Sequence, residues 1–179
     1  MLQIKAGLPG TTIKRQFDKD SGEKLLSLMR MFSIKSFVEV GVLCGDMTEY
    51  LCNNYNFDKY YAIDIWLRTN YGLNKHSQEE MEIAYRFCQD RFKEFDNVKI
   101  IRADSISAAE LLEDNSVDCV FIDAAHDTGS VTRDINAWFP KVKKLLIGHD
   151  YAEFGTVRKS VDLIFPQRKI HNNLWYVTK

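Results

Sequence analysis

Apolar and polar positions along this chain follow two alternating rhythms. Short apolar runs at 37–40, 59–64, 98–103, 117–122 and 144–148 read as buried strands, and the segments between them repeat apolar residues at helical spacing. Leu25, Leu28, Met29 and Phe32 predict a helix over 21–32, opened by an Asp20/Glu23 capping box. Met47, Tyr50 and Leu51 mark a second helix, with Asp46 placed to cap it. Ser77 and Glu80 open a third, which carries Met81, Tyr85, Cys88, Phe92 and Phe95 to about residue 95. Ser107 and Glu110 cap a short helix with Leu111 and Leu112, and Asp127 opens one lined by Val131, Ile135, Trp138 and Phe139. Phe154, Val157, Val161, Ile164 and Phe165 form the last, stopped by Pro166. Two short strands at 168–171 and 174–178, around Asn172-Asn173, read as a hairpin that closes a sheet edge. Strand and helix alternating five times predict an open, doubly wound, mostly parallel α/β sheet of seven strands, with the last pair antiparallel.

The stretch Phe37-Val38-Glu39-Val40-Gly41-Val42-Leu43-Cys44-Gly45-Asp46 stands out within this pattern. It is a buried strand running into a glycine-bracketed turn, where Gly41 and Gly45 permit close approach of a ligand and the following helix start favours a negative group. Each predicted parallel strand also ends in an acid: Glu39, Asp64, Asp104, Asp123 and Asp150. Only 25 of 179 residues are acidic, so a complete row argues against chance. In an open α/β sheet these ends share one edge, where ligands bind. Capping explains single members of such a row more easily than all five. The order Glu39-x-Gly41-x-x-x-Gly45 lacks the Gly-x-Gly-x-x-Gly of a dinucleotide site, and Asp64 at the second strand tip suits ribose hydroxyls. Together these features describe an amino acid joined to a nucleoside.

Composition narrows the classes of partner. The net charge of −1 offers no broad attraction to nucleic acid, and a small, roughly neutral acceptor fits better. No apolar run approaches the roughly 20 residues of a membrane span, and the N-terminus lacks a signal-peptide pattern. Cys44, Cys52, Cys88 and Cys119 stand in no metal-binding spacing and read as reduced thiols of a cytoplasmic protein. Residues 1–20 form an irregular arm before a single domain at 21–179. The arm is read as a cover for the cofactor, a contact with a second subunit in a homodimer, or a disordered tail. The polar connection at 66–76, with Asn70, Gly72 and Asn74, has the length of a substrate lid.

With the signatures Phe121-Ile122-Asp123-Ala124-Ala125-His126 and Gly148-His149-Asp150-Tyr151 added to the glycine turn, residues 21–179 resemble class I S-adenosylmethionine-dependent methyltransferases of the small, single-domain bacterial and phage-type branch. The resemblance implies a Rossmann-like methyltransferase fold with S-adenosylmethionine as cofactor. Glu39 and the Gly41–Gly45 turn would hold its methionine part, Asp64 its ribose, and Ile65 with Trp66 would flank the adenine beside Asp104 and Ser105. Asp123 would lie near the amino group and the transferred methyl. Metal-dependent relatives hold magnesium with acids equivalent to Asp123 and Asp150; here Tyr151 follows and His149 precedes Asp150, so the resemblance leaves the metal open. One departure is the missing Pro-Gly-Gly turn before the fifth strand, where Lys141-Val142-Lys143-Lys144 runs straight on and leaves that strand's start undefined.

His126 is the natural general base, since imidazole can accept a hydroxyl proton near neutral pH, and His149 is a second candidate; His76 and His171 read as surface residues. The expected reaction is O-methylation of a small-molecule hydroxyl on a sugar or phenolic metabolite. Transfer to nitrogen or to a protein, and a catalytically silent cofactor-binding partner subunit, are the alternatives.

Overall fold

A computed structural model describes residues 2–4, 7–68 and 76–179 of the chain. The rhythm of short apolar runs becomes β3 (Ser36–Val40), β4 (Lys59–Asp64), β5 (Val98–Arg102), β6 (Val117–Ile122) and β7 (Val142–Gly148), all parallel, with β8 (Lys169–His171) and β9 (Leu174–Thr178) antiparallel at one side. The seven strands lie in the order β5-β4-β3-β6-β7-β9-β8. A separate two-stranded pair, β1 (Leu2–Ile4) and β2 (Gln16–Asp18), precedes them. The helices are α1 (Lys19–Met31), α2 (Asp46–Asn54), α3 (Gln78–Phe92), α4 (Ser105–Glu110), α5 (Thr128–Trp138) and α6 (Gly155–Ile164).

Successive side chains of a strand face opposite sides, which divides the core into two layers. Phe37, Tyr60, Phe121 and Ile147 pack with α1, α2 and α3 residues such as Leu25, Met29, Leu51 and Phe92. Val38, Val40, Ile63, Val120 and Leu146 pack with Val131, Ile135, Trp138, Val157 and Val161 of α5 and α6. The sheet is therefore covered on both faces. Its strand order reverses between β3 and β6, and the turn after β3 opens at that switch point, where α/β sheets place their ligands. No helix among the described residues is long and apolar enough to cross a membrane. All four cysteines are free thiols, three of them buried.

Several helix starts differ from the expected ones, because a cap needs an extended backbone as well as the right side chain. Helix α1 begins at Lys19, and its cap is Asp18, whose carboxylate accepts from the Asp20 N–H; the Asp20/Glu23 box does not form. Helix α2 is preceded by Gly45 in the left-handed region, which leaves Asp46 inside the first turn. Asp104 rather than Ser107 caps α4, while the Ser77/Glu80 box and the Asp127 cap form as expected. Phe95 lies past the end of α3, in the turn after it. A 3-10 turn at Phe139–Lys141 does the work of the missing Pro-Gly-Gly segment, and β7 starts at Val142. The pairing of β7 with β6 shifts between Val117 and Cys119, where β7 carries one residue more than β6.

The arm packs on the domain: Leu8 and Ile13 are buried, and the Thr12 N–H and hydroxyl both donate to Glu80 of α3. The 66–76 connection expected to act as a lid has residues 69–75 outside the described residues.

Gly41 has φ 94°, and a Cβ there would stand 2.0 Å from the Asp123 carbonyl oxygen. That approach brings the ends of β3 and β6 together, with the Asp123 N–H donating to the Val40 carbonyl at 2.8 Å. Gly41→Ala is expected to lower stability by at least about 2 kcal/mol through steric conflict and left-handed strain. Chemical denaturation would measure it, and an unchanged midpoint would contradict the required contact.

Candidate functional site

The turn after β3 is clamped from the neighbouring strand. Asp64, at the end of β4, accepts the Val42 and Leu43 N–H groups on Oδ2, both at 2.8 Å, and the Trp66 N–H on Oδ1 at 2.9 Å. A carboxylate offers about four acceptor sites, so Asp64 retains capacity for a ligand hydroxyl. Leu43 and Trp66 adopt φ values of 49° and 42°, unusual for residues with side chains. Trp66 is fully buried, donates its indole N–H to the Leu43 carbonyl at 2.9 Å, and packs against Tyr85. It therefore braces the turn from inside, and Ile65 is the more open of the two residues expected beside the adenine.

Glu39 points away from the strand tips into the layer beneath α2. It is 2% exposed, and one oxygen accepts the Thr48 and Tyr60 hydroxyls, each at 2.5 Å. Burial raises its pKa to about 8, against the lowering effect of those hydrogen bonds, with the charges of Asp123 and Asp64 adding to the rise. Glu39 is thus a protonated support under the turn at neutral pH. Asp104 is engaged as the α4 cap, accepting from Ile106 and Ser107, and the Ser105 hydroxyl accepts the Trp138 indole N–H at 2.9 Å.

Asp46, beside the turn, is paired with Arg15 of the arm at 2.5 Å and Arg91 of α3 at 3.0 Å. Burial alone would raise its pKa, but the two guanidinium groups hold it below the ordinary value. Arg91 also donates to the Cys44 carbonyl at 2.8 Å and pairs with Glu49.

The second half of the site lies where β6 and β7 end. His126 Nε2 stands 2.7 Å from Asp150 Oδ2, while His149 Nδ1 stands 3.0 Å from Asp150 Oδ1 and 3.7 Å from Asp123 Oδ1. His149 Nε2 faces Ser21 Oγ at 3.1 Å and Asp18 at 3.5 Å, so both its ring nitrogens are engaged. Burial opposes the charged form of His149, but Asp123, Asp150 and Asp18 together raise its pKa to about 9. The hydrogen bond to Asp150 raises that of His126 despite partial burial. An imidazole that keeps its proton longer is less suited to base catalysis at neutral pH and better suited to contact an anionic group. Asp150 is held low by the two imidazoles against its own burial, whereas burial and the Asp150 charge raise Asp123, a third of whose side chain still reaches solvent.

Asp123, His126 and Asp150 are the residues able to hold a cation among those described. They border a cavity of about 10 Å³. A wider, open hollow lined by Lys35, Asn53, Asn54, Tyr55 and Asn56 lies near the other ends of β3 and β4, away from the acids.

Sequence reasoning missed the groups that support these residues. Thr48 lies nine residues from Glu39, and Tyr60 under Glu39, Arg15 and Arg91 at Asp46, and Asp18 and Ser21 at His149 act across 21 to 131 residues. Phe154, read only as a helix residue, stacks on His126 with ring centroids 4.1 Å apart and planes 19° apart. None carries a local motif.

A family model described as a methyltransferase domain matches residues 38–151, more than half of the chain. No curated protein sequence matches significantly. Among solved structures, a Staphylococcus aureus protein assigned as a caffeoyl-CoA O-methyltransferase superposes with TM-score 0.67 at 16% identity, covering 91% of this chain and 84% of that one. An O-methyltransferase from Bacillus cereus in complex with SAH gives TM-score 0.63 at 17% identity, covering 96% and 84%. Spermidine synthase from Thermotoga maritima gives 0.56 at 12%, covering 89% and 58%, so the fold by itself does not choose the transferred group.

The state of Glu39 gives a pH signature. Its folded pKa of about 8 lies above the ordinary 4.5, so both states are protonated in acid and the shift has no effect there. From about pH 4.5 to about pH 8 the unfolded chain gains by ionising, and the protein loses stability as pH rises. Glu39→Gln should therefore narrow the stability difference between about pH 5 and about pH 9 in denaturation experiments. An unaltered difference would mean that Glu39 is ionised in the fold.

Proposed function

This chain belongs to the methyltransferase-domain family, and on that footing we propose that it transfers a methyl group from S-adenosylmethionine to a hydroxyl of a small molecule. The observation that carries the reading is the clamped glycine turn at the sheet's switch point, beside Asp123 and Asp150 on the same edge. In this reading the Gly41–Gly45 turn receives the methionine part of the cofactor, with Glu39 supporting it from below. Asp64 accepts the ribose hydroxyls with its remaining lone pairs, Ile65 borders the adenine near Asp104 and Ser105, and Asp123 faces the reactive end. The acceptor hydroxyl lies against Asp123, His126 and Asp150, with His149 orienting the two carboxylates.

Methyl transfer from a sulfonium needs little covalent help from the protein, so alignment of oxygen, methyl and sulfur supplies much of the acceleration. The cluster at the β6 and β7 ends is suited to that task, because each oxygen of the Asp150 carboxylate is held by an imidazole, Oδ2 by His126 and Oδ1 by His149. The O-methyltransferase names of the Staphylococcus aureus and Bacillus cereus structures, one of them bound to SAH, support the choice of oxygen and of cofactor.

Calorimetry with S-adenosylmethionine and S-adenosylhomocysteine tests the core of the proposal. The intact chain should bind both, and Asp64→Ala should weaken binding at least about tenfold by removing acceptors from turn and ligand. His126→Ala should keep cofactor affinity but slow turnover of a hydroxyl acceptor on the order of 100-fold through lost alignment. Absence of cofactor binding would refute the assignment. Binding without turnover across sugar and phenolic acceptors would point to a partner subunit instead of an enzyme.

A further inference from the structure

The ligand edge of this sheet is rich in acids. Asp64, Asp123 and Asp150 stand at strand ends, and Asp46 directly follows the Gly41–Gly45 turn. S-adenosylmethionine carries a carboxylate of its own, on the methionine part that the reading above assigns to that turn. Like charges repel strongly where water is scarce, so that end of the ligand needs a stretch of the edge free of net negative charge.

The N-terminal arm supplies the compensating charge. Arg15 grips Asp46 in a fork, with Nε 3.2 Å from Oδ1 and 3.3 Å from Oδ2 and a terminal nitrogen 2.5 Å from Oδ1. Only 6% of the Asp46 side chain and 18% of the Arg15 side chain are exposed, so solvent screens the pair weakly. Arg91 of α3 reaches the same Oδ1 at 3.0 Å, yet it also donates to Glu49 at 2.7 Å and so has two carboxylates to offset. Asp46 and Glu49 bring two negative charges, and Arg15 with Arg91 brings two positive ones, which leaves the cluster neutral. Without Arg15 it would carry one net negative charge beside the turn. Both guanidinium groups also lie against Phe87, at 5.1 and 5.5 Å from its ring centroid.

We infer that Arg15 is a positioning residue for the cofactor: acting through Asp46, it makes the turn acceptable to the carboxylate end of the ligand. The inference rests on the assignment of S-adenosylmethionine to this turn. It gives the arm a task in the site, and it separates recognition of the amino-acid end from that of the adenosine end, where Asp64 and Ile65 lie. The arm has other holds, through buried Leu8 and Ile13 and through Thr12 on Glu80, so loss of the Arg15 charge leaves it packed.

Calorimetry on the full chain with two ligands provides the test: S-adenosylhomocysteine, and 5′-methylthioadenosine, which lacks the amino-acid end. The intact chain should bind both. Arg15→Gln should weaken S-adenosylhomocysteine about tenfold and leave methylthioadenosine unchanged. The double variant Arg15→Gln/Asp46→Asn, neutral again, should recover most of the lost affinity; a purely structural pair would not be repaired by removing its second partner. Arg15→Lys keeps the charge without the fork and should fall between the intact chain and Arg15→Gln. Circular dichroism checks each fold, and Arg15→Met, which keeps an apolar stem against Phe87, supplies the same charge loss should Arg15→Gln unfold. Unchanged S-adenosylhomocysteine affinity on loss of the charge, an equal loss for both ligands, or a double variant no better than the single one would overturn the inference. An intact chain that binds neither ligand refutes the cofactor reading and this inference with it, whereas binding of both that ignores Arg15 refutes this inference alone.

Discussion

The carboxylate of Asp64 is the contact on which the site depends. It accepts three backbone N–H groups, from Val42, Leu43 and Trp66, and so ties the end of β4 to the turn after β3. Two of the residues it holds, Leu43 and Trp66, have positive φ, which costs roughly 1–2 kcal/mol each for an L-residue. Hydrogen bonds to a charged acceptor contribute about 1.5–3 kcal/mol each, so three of them exceed that strain. The turn therefore keeps a shape that its own residues disfavour. Trp66 adds a second tie by burying its ring and bonding the Leu43 carbonyl.

Charge balance organises the other half. Asp123 and Asp150 stand close enough to repel, and His126 and His149 offset that repulsion from opposite sides. His149 carries the balance further, to Asp18 and Ser21 at the start of α1. A helix that sequence pattern assigns to the core is thereby joined to the edge where β6 and β7 end. The arm is joined to the other half in the same manner, through Arg15 and Asp46 and through Thr12 and Glu80. Both connections run between residues far apart in the chain, and the Arg15–Asp46 and His149–Asp18 pairs place charged groups where partial burial leaves less water to screen them.

Much of this protein was readable before folding. The alternation of strands and helices, the seven-stranded doubly wound sheet, the antiparallel closing pair and the glycine turn all follow from periodicity and turn chemistry. The acids near the strand ends were also legible, and the topology brings Asp64, Asp123 and Asp150 to one edge because parallel strands end on the same side. Local signals failed where side chains compete for caps. Asp18 and Asp20 are equally good caps by type, and only the extended backbone at Asp18 decides between them.

Local patterning along the chain therefore accounts for the order of elements and the identity of the groups near the edge, since these depend on neighbours within a few residues. Which way each group faces was decided only in three dimensions. Glu39 sits at a strand position that turns its side chain toward Thr48 and Tyr60, and Asp104 spends its oxygens on a helix start. His126 meets Asp150 and Phe154 because β6 and β7 pair in parallel and their following loops converge. Hydrogen bonds and ion pairs between residues tens of positions apart have no periodic trace in the chain; they exist once the strands are in register.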